Sequence, residues 1–224
     1  LDLYANRVIV RHEDVTPLAI SDTILFDYDD DDDIPFTATL GAPDNLTVLA
    51  GNGLYVWSDK EFAPAGEIDM QGYGSTAADG SLNIGSNATL TMSGFDNLTI
   101  GGSFYGESGA SYLSSSTVID FTATNTGQQI GSTASSTFTF YDMNFTGVGG
   151  EWAIQTPIVS QTDIDIATGT ILGVSDITIE NGSFSGEGLV SMSEGTVSIE
   201  RDNILGGSQG WTFYNLTLGD GVDQ

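Results

Sequence analysis

Phe95-Asp-Asn-Leu-Thr-Ile-Gly-Gly102, Phe140-Tyr-Asp-Met-Asn-Phe-Thr-Gly147 and Phe213-Tyr-Asn-Leu-Thr-Leu-Gly-Asp220 are three copies of one stretch, F-x-N/D-L/M-x-apolar-x-G/D. In each copy two apolar residues stand two apart (Leu98 and Ile100, Met143 and Phe145, Leu216 and Leu218) and so share one face of a strand. The phenylalanine three residues before the first of them has the opposite parity, so the chain must turn a corner in between. Asn97, Asp142 and Asn215 occupy that corner, and Asn and Asp tolerate the left-handed conformation a sharp bend often needs. Such a stretch reads as one edge of a coil that stacks on copies of itself.

A longer repeat surrounds it. Leu98-Thr-Ile-Gly-Gly-Ser-Phe104 matches Ile177-Thr-Ile-Glu-Asn-Gly-Ser-Phe184, and each is followed by a Gly-Glu pair, Gly106-Glu107 and Gly186-Glu187. Ser116-Thr-Val-Ile119 matches Gly195-Thr-Val-Ser-Ile199, and Leu82-Asn-Ile84 matches Ile164-Asp-Ile166. The offsets of 79 to 82 residues outline two copies, about 81–150 and 163–224. Short alternating runs such as Leu46-Thr-Val48, Leu54-Tyr-Val-Trp57, Ile68-Asp-Met70 and Leu90-Thr-Met92 are separated by Gly, Asn, Ser and Asp clusters. Strands this short cannot stand alone, but they suit the faces of successive coils of roughly 20–25 residues stacked about 4.8 Å apart. The sequence therefore predicts an all-β chain: a parallel β-solenoid over residues 45–224, preceded by an irregular β cap or junction over 1–44.

Composition narrows the partners. The 224 residues include 29 Gly, 11 Phe and 8 Tyr, and the formal charge is -27 with four basic residues: Arg7, Arg11, Lys60 and Arg201. So few cations cannot neutralise a nucleic-acid backbone, and an anionic membrane surface would repel the chain. No apolar run reaches the roughly 18 residues of a membrane-spanning helix. Neutral glycans, cations and further copies of the chain remain as partners. The lack of cysteine excludes disulfides and thiolate metal sites.

The final stretch, Gly210-Trp-Thr-Phe-Tyr-Asn-Leu-Thr-Leu-Gly-Asp-Gly221, resembles the W-x-F-x-N-L-T-apolar-G-D-G segments of very large repetitive surface proteins of environmental bacteria and archaea. The Phe95 and Phe140 stretches and Ser115-Ser-Thr-Val-Ile-Asp-Phe-Thr-Ala123 are similar to them too. The likeness covers about two thirds of the chain and is looser at the N-terminus, around Ala5-Asn-Arg-Val-Ile-Val-Arg-His-Glu-Asp14. It implies an extracellular parallel β-helix module, one of a tandem series.

Several constellations could carry chemistry. Asp27-Tyr-Asp-Asp-Asp-Asp-Asp33 reads either as a solvated acidic loop or as a Ca²⁺ site in which Asp29, Asp31 and Asp33 converge, although the EF-hand spacing is absent. Six N-x-S/T sequons, at Asn45, Asn87, Asn97, Asn144, Asn181 and Asn215, are either glycan acceptors or a by-product of corner Asn and strand Thr. Asn87 and Asn181, set among Gly and Ser, are the better acceptors.

Catalysis has little to stand on. Lyases built on β-helices rely on a basic residue beside a Ca²⁺ cluster, and here Arg201 is the only basic residue after Lys60. Glu107, Asp120, Glu180, Glu187 and Glu200 show no spacing that pairs two of them for glycoside hydrolysis. His12 has no partner for a triad, and Trp57, Trp152 and Trp211 read as interior rings.

The reading that ranks first is a non-enzymatic structural protein at the cell surface, assembling head to tail into a filament or layer. An adhesin or viral-fibre-like glycan-binding module comes second, and a carbohydrate-active enzyme last. The expected junction joins Phe213, Leu216 and Leu218 of one unit to the strand carrying Leu3, Tyr4, Arg7, Val8, Val10 and Arg11 of the next, covering two open strand edges at once.

Overall fold

The computed structural model describes residues 46–219 apart from short gaps at 49, 51–52, 57, 60, 65, 73–78, 93, 95–96, 134–136 and 202; before residue 46 it describes only the backbones of five short strands. Among the described residues there is no helix, and the strands run two to five residues. They build three walls in a fixed order along the chain. Leu82–Ile84 lies in the first wall, Thr89–Met92 in the second and Asn97–Ile100 in the third, after which Phe104–Gly106 returns to the first wall one layer up. Among the described residues every pairing is parallel except the first, where Asp2–Tyr4 folds back antiparallel on Arg7–Ile9. The protein is a three-walled parallel β-solenoid.

The period-2 alternation of each strand decides what points inward. On the third wall Leu98, Ile119, Met143, Ile164 and Phe184 succeed one another in register, as do Ile100, Phe121, Phe145 and Ile166 two residues on, and all are buried. Corresponding rows from the other walls meet them in one continuous core. Because strands stack at about 4.8 Å, identical side chains stack at the same distance: Phe121 and Phe145 lie with ring centroids 4.8 Å apart and planes 11° from parallel.

Coil length varies while register does not. Leu54 to Leu82 is 28 residues and Trp152 to Ile171 is 19, yet both pairs are register partners. Corners absorb the difference. Between the first and second walls, Asp59, Asn87 and Gly109 hold equivalent places in successive coils with φ of 61°, 55° and 76°. These are the left-handed corners, occupied by the residue types that tolerate them. Asn97, Asp142 and Asn215 are instead the first residues of strands and are not left-handed. At residues 140–142 and 213–215 the corner is turned without a positive φ.

The two members of the 80-residue repeat occupy different walls. Leu98 lies on the third wall and Ile177 on the second, while Phe104 lies on the first and Phe184 on the third. Strand, corner and strand recur as a unit, and the unit is placed one wall apart in its two copies. The parallel ladder also includes Leu18–Ile20, Ile24–Phe26 and Thr37–Ala38, upstream of residue 45.

The second wall is broken into a four-stranded ladder ending at Ser111–Ser114 and a five-stranded ladder beginning at Phe138–Phe140. The two strands are neighbours in the stack, but they share no ladder. Behind the break four rings meet: Phe104 is 5.5 Å from Tyr112 and 5.2 Å from both Phe138 and Phe140, and Tyr112 is 5.6 Å from Phe140. A Cβ on Gly106 would stand 2.4 Å from the Phe138 ring, so glycine here makes room for it. Crowding of aromatic volume against one wall accounts for the parted backbones.

Phe145→Ala is expected to cost about 3–5 kcal/mol, since the ring is fully buried between Phe121 and Trp152. Val148→Ala, at a side chain 73% exposed, is expected to stay within about 0.5 kcal/mol. Urea unfolding of both variants checks the contrast.

Candidate functional site

Outward positions of the third wall form a second set of columns, and here the chemistry is acidic. Asp69, Thr99, Asp120, Asn144, Asp165 and Ser185 follow one another in register, acid alternating with neutral residue. Like charges directly opposite on adjacent strands destabilise a sheet, and the alternation removes that contact. Asn144 turns it into a bond, its amide donating to Asp120 Oδ1 at 2.9 Å.

The neighbouring column lacks the alternation. Asp142 and Asp163 immediately precede the register partners Met143 and Ile164 and so stand on adjacent coils. Partial burial, then the charge of Asp163 and more weakly that of Asp120, pushes the Asp142 carboxyl above its ordinary range, against the opposing hydrogen bond with Thr162. Asp165 is raised too, by burial first and by Asp163 second. Asp163 has a structural task of its own: its Oδ1 accepts the backbone N–H of Ser183 at 2.6 Å, tying one corner to the next coil, as Asp176 does for Thr196 at 2.8 Å.

A polar cluster that sequence reasoning missed bridges three coils. Glu107 Oε1 accepts the Tyr55 hydroxyl and Oε2 the Ser86 hydroxyl, both at 2.9 Å. Burial, then the hydrogen bond to Glu107 and that carboxylate's charge, raise the Tyr55 phenol above its usual value. Beside it the Asn87 amide donates to Asp59 Oδ1 at 3.0 Å along the left-handed corner. The only sequence signal was the Gly106-Glu107 pair. Glu180, Glu187 and Glu200 are exposed, each just after a strand or in a turn.

The sequons divide by place. Asn87, Asn97, Asn181 and Asn215 are exposed, Asn144 is half-buried in its bond to Asp120, and Asn45 lies outside the described residues. Asp29, Asp31 and Asp33 also lie outside them, as do His12, Trp57, Val10 and Arg11. Leu3 and Tyr4 fall in Asp2–Tyr4, and Arg7 and Val8 in Arg7–Ile9. Trp152 is fully buried. Trp211 is half-buried, its indole N–H donating to the Gly188 carbonyl at 2.9 Å and its ring 4.9 Å from Phe184.

The last described coil differs from all below it. Asn215–Leu218 pairs on one side with Thr196–Ile199, and its alternating pattern no longer buries anything: Leu216 is 40% exposed, Leu218 62%, Tyr214 65% and Ile204 68%. Phe213 and Trp211 pack partly against the core beneath. Phe213, Leu216 and Leu218 thus gather on one apolar end, with Ile204, Trp211 and Tyr214 beside them. The strands Arg7–Ile9 and Asp2–Tyr4 lie at the opposite end of the first wall.

Comparison with models of known protein families, with curated proteins and with solved structures finds no match. Among the described residues no group of three or more His, Cys, Asp or Glu side chains gathers to hold a metal ion, and no helix is long and apolar enough to cross a membrane.

The raised carboxyls set a direction for pH dependence. A folded-state pKa above the unfolded one means the native state binds the proton more tightly, so stability rises as pH falls from neutrality through the folded value and levels off below the ordinary Asp range near 3.9. Asp142→Asn is therefore expected to raise the melting temperature at pH 7 by about 2 °C and to flatten the rise as pH falls from 7 toward the ordinary Asp range near 3.9. Thermal melts across that range check both.

Proposed function

We propose that the protein is a structural module of an extracellular surface, a β-solenoid that extends end to end into a filament or layer. The observation that carries this reading is the apolar last coil, where Leu216 and Leu218 are the inward positions of a strand with no described layer above. Its occupant is another coil of the same kind, because such a coil continues the backbone ladder and the inward columns in the same register. The opposite end presents Asp2–Tyr4 as the outermost strand of the first wall, with Arg7 on the strand behind it. A basic residue near that end of a chain charged -27 gives the junction a direction.

Magnitudes decide the form of assembly. Burying the exposed part of each leucine contributes about 1 kcal/mol, while bringing two free units together costs roughly 4–15 kcal/mol. Free units therefore associate weakly, and tandem units in one chain, at effective concentrations in the mM range, associate strongly. Dense surface charge supports the extracellular setting, since it keeps a long rod hydrated and discourages lateral clumping.

Sedimentation velocity on the isolated chain is expected to show weak, reversible self-association with a midpoint of about 0.1–1 mM, and electron micrographs above that concentration should show end-to-end rods. Leu216→Asp with Leu218→Asp should leave a monomer with an unchanged far-UV spectrum. A wild-type chain that stays monomeric at millimolar concentration would sink the reading.

A further inference from the structure

The break in the second wall opens a groove of about 480 Å³ on the outer surface, lined by Thr91, Met92, Tyr112, Leu113, Ser114, Ser115, Thr139 and Gln161. It spans four successive coils, since Thr91 and Leu113 are register partners, Thr139 lies in the next coil and Gln161 follows the strand after that. Here two neighbouring strands do not share hydrogen bonds, and the surface sinks toward the core.

Three features of the lining point to one kind of ligand. First, no lining residue among the described residues is charged. The nearest carboxylate in the hydrogen-bond pattern is Glu61, which accepts the Thr91 hydroxyl at 3.2 Å. An anion would meet the field of a chain charged -27, and a cation would find no carboxylate in the lining. Second, the polar groups are hydroxyls and one amide, from Thr91, Ser114, Ser115, Thr139 and Gln161, which donate and accept alike. Third, the apolar part is a patch rather than a pit: Leu113 is 54% exposed although its neighbour Tyr112 is buried.

We propose that this groove is a binding site for a neutral saccharide. A sugar ring carries hydroxyls that donate and accept around its rim and an apolar C–H face, which matches the Ser/Thr/Gln rim and the Leu113 patch. The groove volume lies within the range of about 300–1,000 Å³ usual for small-ligand sites, and its openness across four coils suits a stretch of chain rather than an enclosed monomer. Leu113 supplies the contact surface, Thr139 and Gln161 the far rim, and Ser114 and Ser115 the near one. The site is independent of the apolar end of the solenoid and stands or falls apart from end-to-end assembly.

The test is titration of the wild-type chain with maltose, cellobiose, mannobiose and lactose, read by the methyl NMR signals of Leu113 and the side-chain amide signals of Gln161. At least one is expected to shift both sets of signals saturably with a Kd of about 1 mM, and digalacturonate, of similar size but anionic, should shift neither. Leu113→Ala with Gln161→Ala should weaken binding about tenfold or more, while the melting temperature stays within about 2 °C. Thr139→Val, which keeps the shape and removes one hydroxyl, should weaken it about threefold to tenfold. The proposal is overturned if none of the four sugars gives a saturable shift up to about 50 mM. It is equally overturned if binding survives undiminished in the double variant, or if digalacturonate binds as well as the neutral sugars.

Discussion

A strand of three or four residues keeps its place in this protein only through the strands directly above and below it. Main-chain N–H and C=O groups find partners in the adjacent coils, and inward side chains find their contacts in the same column. Isolated two-stranded hairpins are marginal in water, and a single coil here has even less to offer. Stability is then close to a sum over neighbouring layers. Two consequences reach every part of the molecule. Coils can differ in length by several residues, as the spans from Leu54 to Leu82 and from Trp152 to Ile171 do, because register is set at the strands and the corners take up the rest. Any layer without a neighbour also exposes a row that all the others bury, as Leu216 and Leu218 do.

The interior shows how far the ladder bends before it breaks. Flat stacking of Phe121 on Phe145 fits the spacing of the coils and leaves the third wall intact. Phe104, Tyr112, Phe138 and Phe140 meet edge-on or tilted instead. Edge-on contacts between rings are favourable in themselves, yet they require a separation that the regular ladder does not provide. Gly106 relieves part of the crowding, and the parting of Ser111–Ser114 from Phe138–Phe140 relieves the rest. The groove on the outer face is the external trace of that internal packing.

The same spacing governs charge on the outside. A column of carboxylates about 4.8 Å apart would repel along its whole length. Placing Thr99, Asn144 and Ser185 between Asp69, Asp120 and Asp165 separates like charges by two layers. Where the alternation lapses, at Asp142, burial first and the charge of Asp163 second leave a carboxyl that holds its proton more tightly. An acidic surface is therefore compatible with this fold when acid is spaced by layer, and a high net charge alone says nothing about that spacing.

The sequence by itself determined the class of fold. Short apolar pairs at i and i+2, interrupted by Gly, Asn and Ser, can bury their apolar faces only by stacking, and that argument needs no coordinates. It also determined the surface charge and the apolar character of Phe213, Leu216 and Leu218. Which wall each strand occupies was decided by tertiary structure, because register partners 19 residues apart in one place and 30 in another leave no constant period to count. Leu98 and Ile177 match in sequence, and they stand on different walls for that reason. Local preference for the left-handed conformation marked Asn and Asp in general, but only the closing of each coil selected Asp59 and Asn87 over Asn97, Asp142 and Asn215. The break behind Tyr112 was equally illegible: Phe104, Tyr112, Phe138 and Phe140 come from successive coils, and their crowding exists only once those coils are stacked.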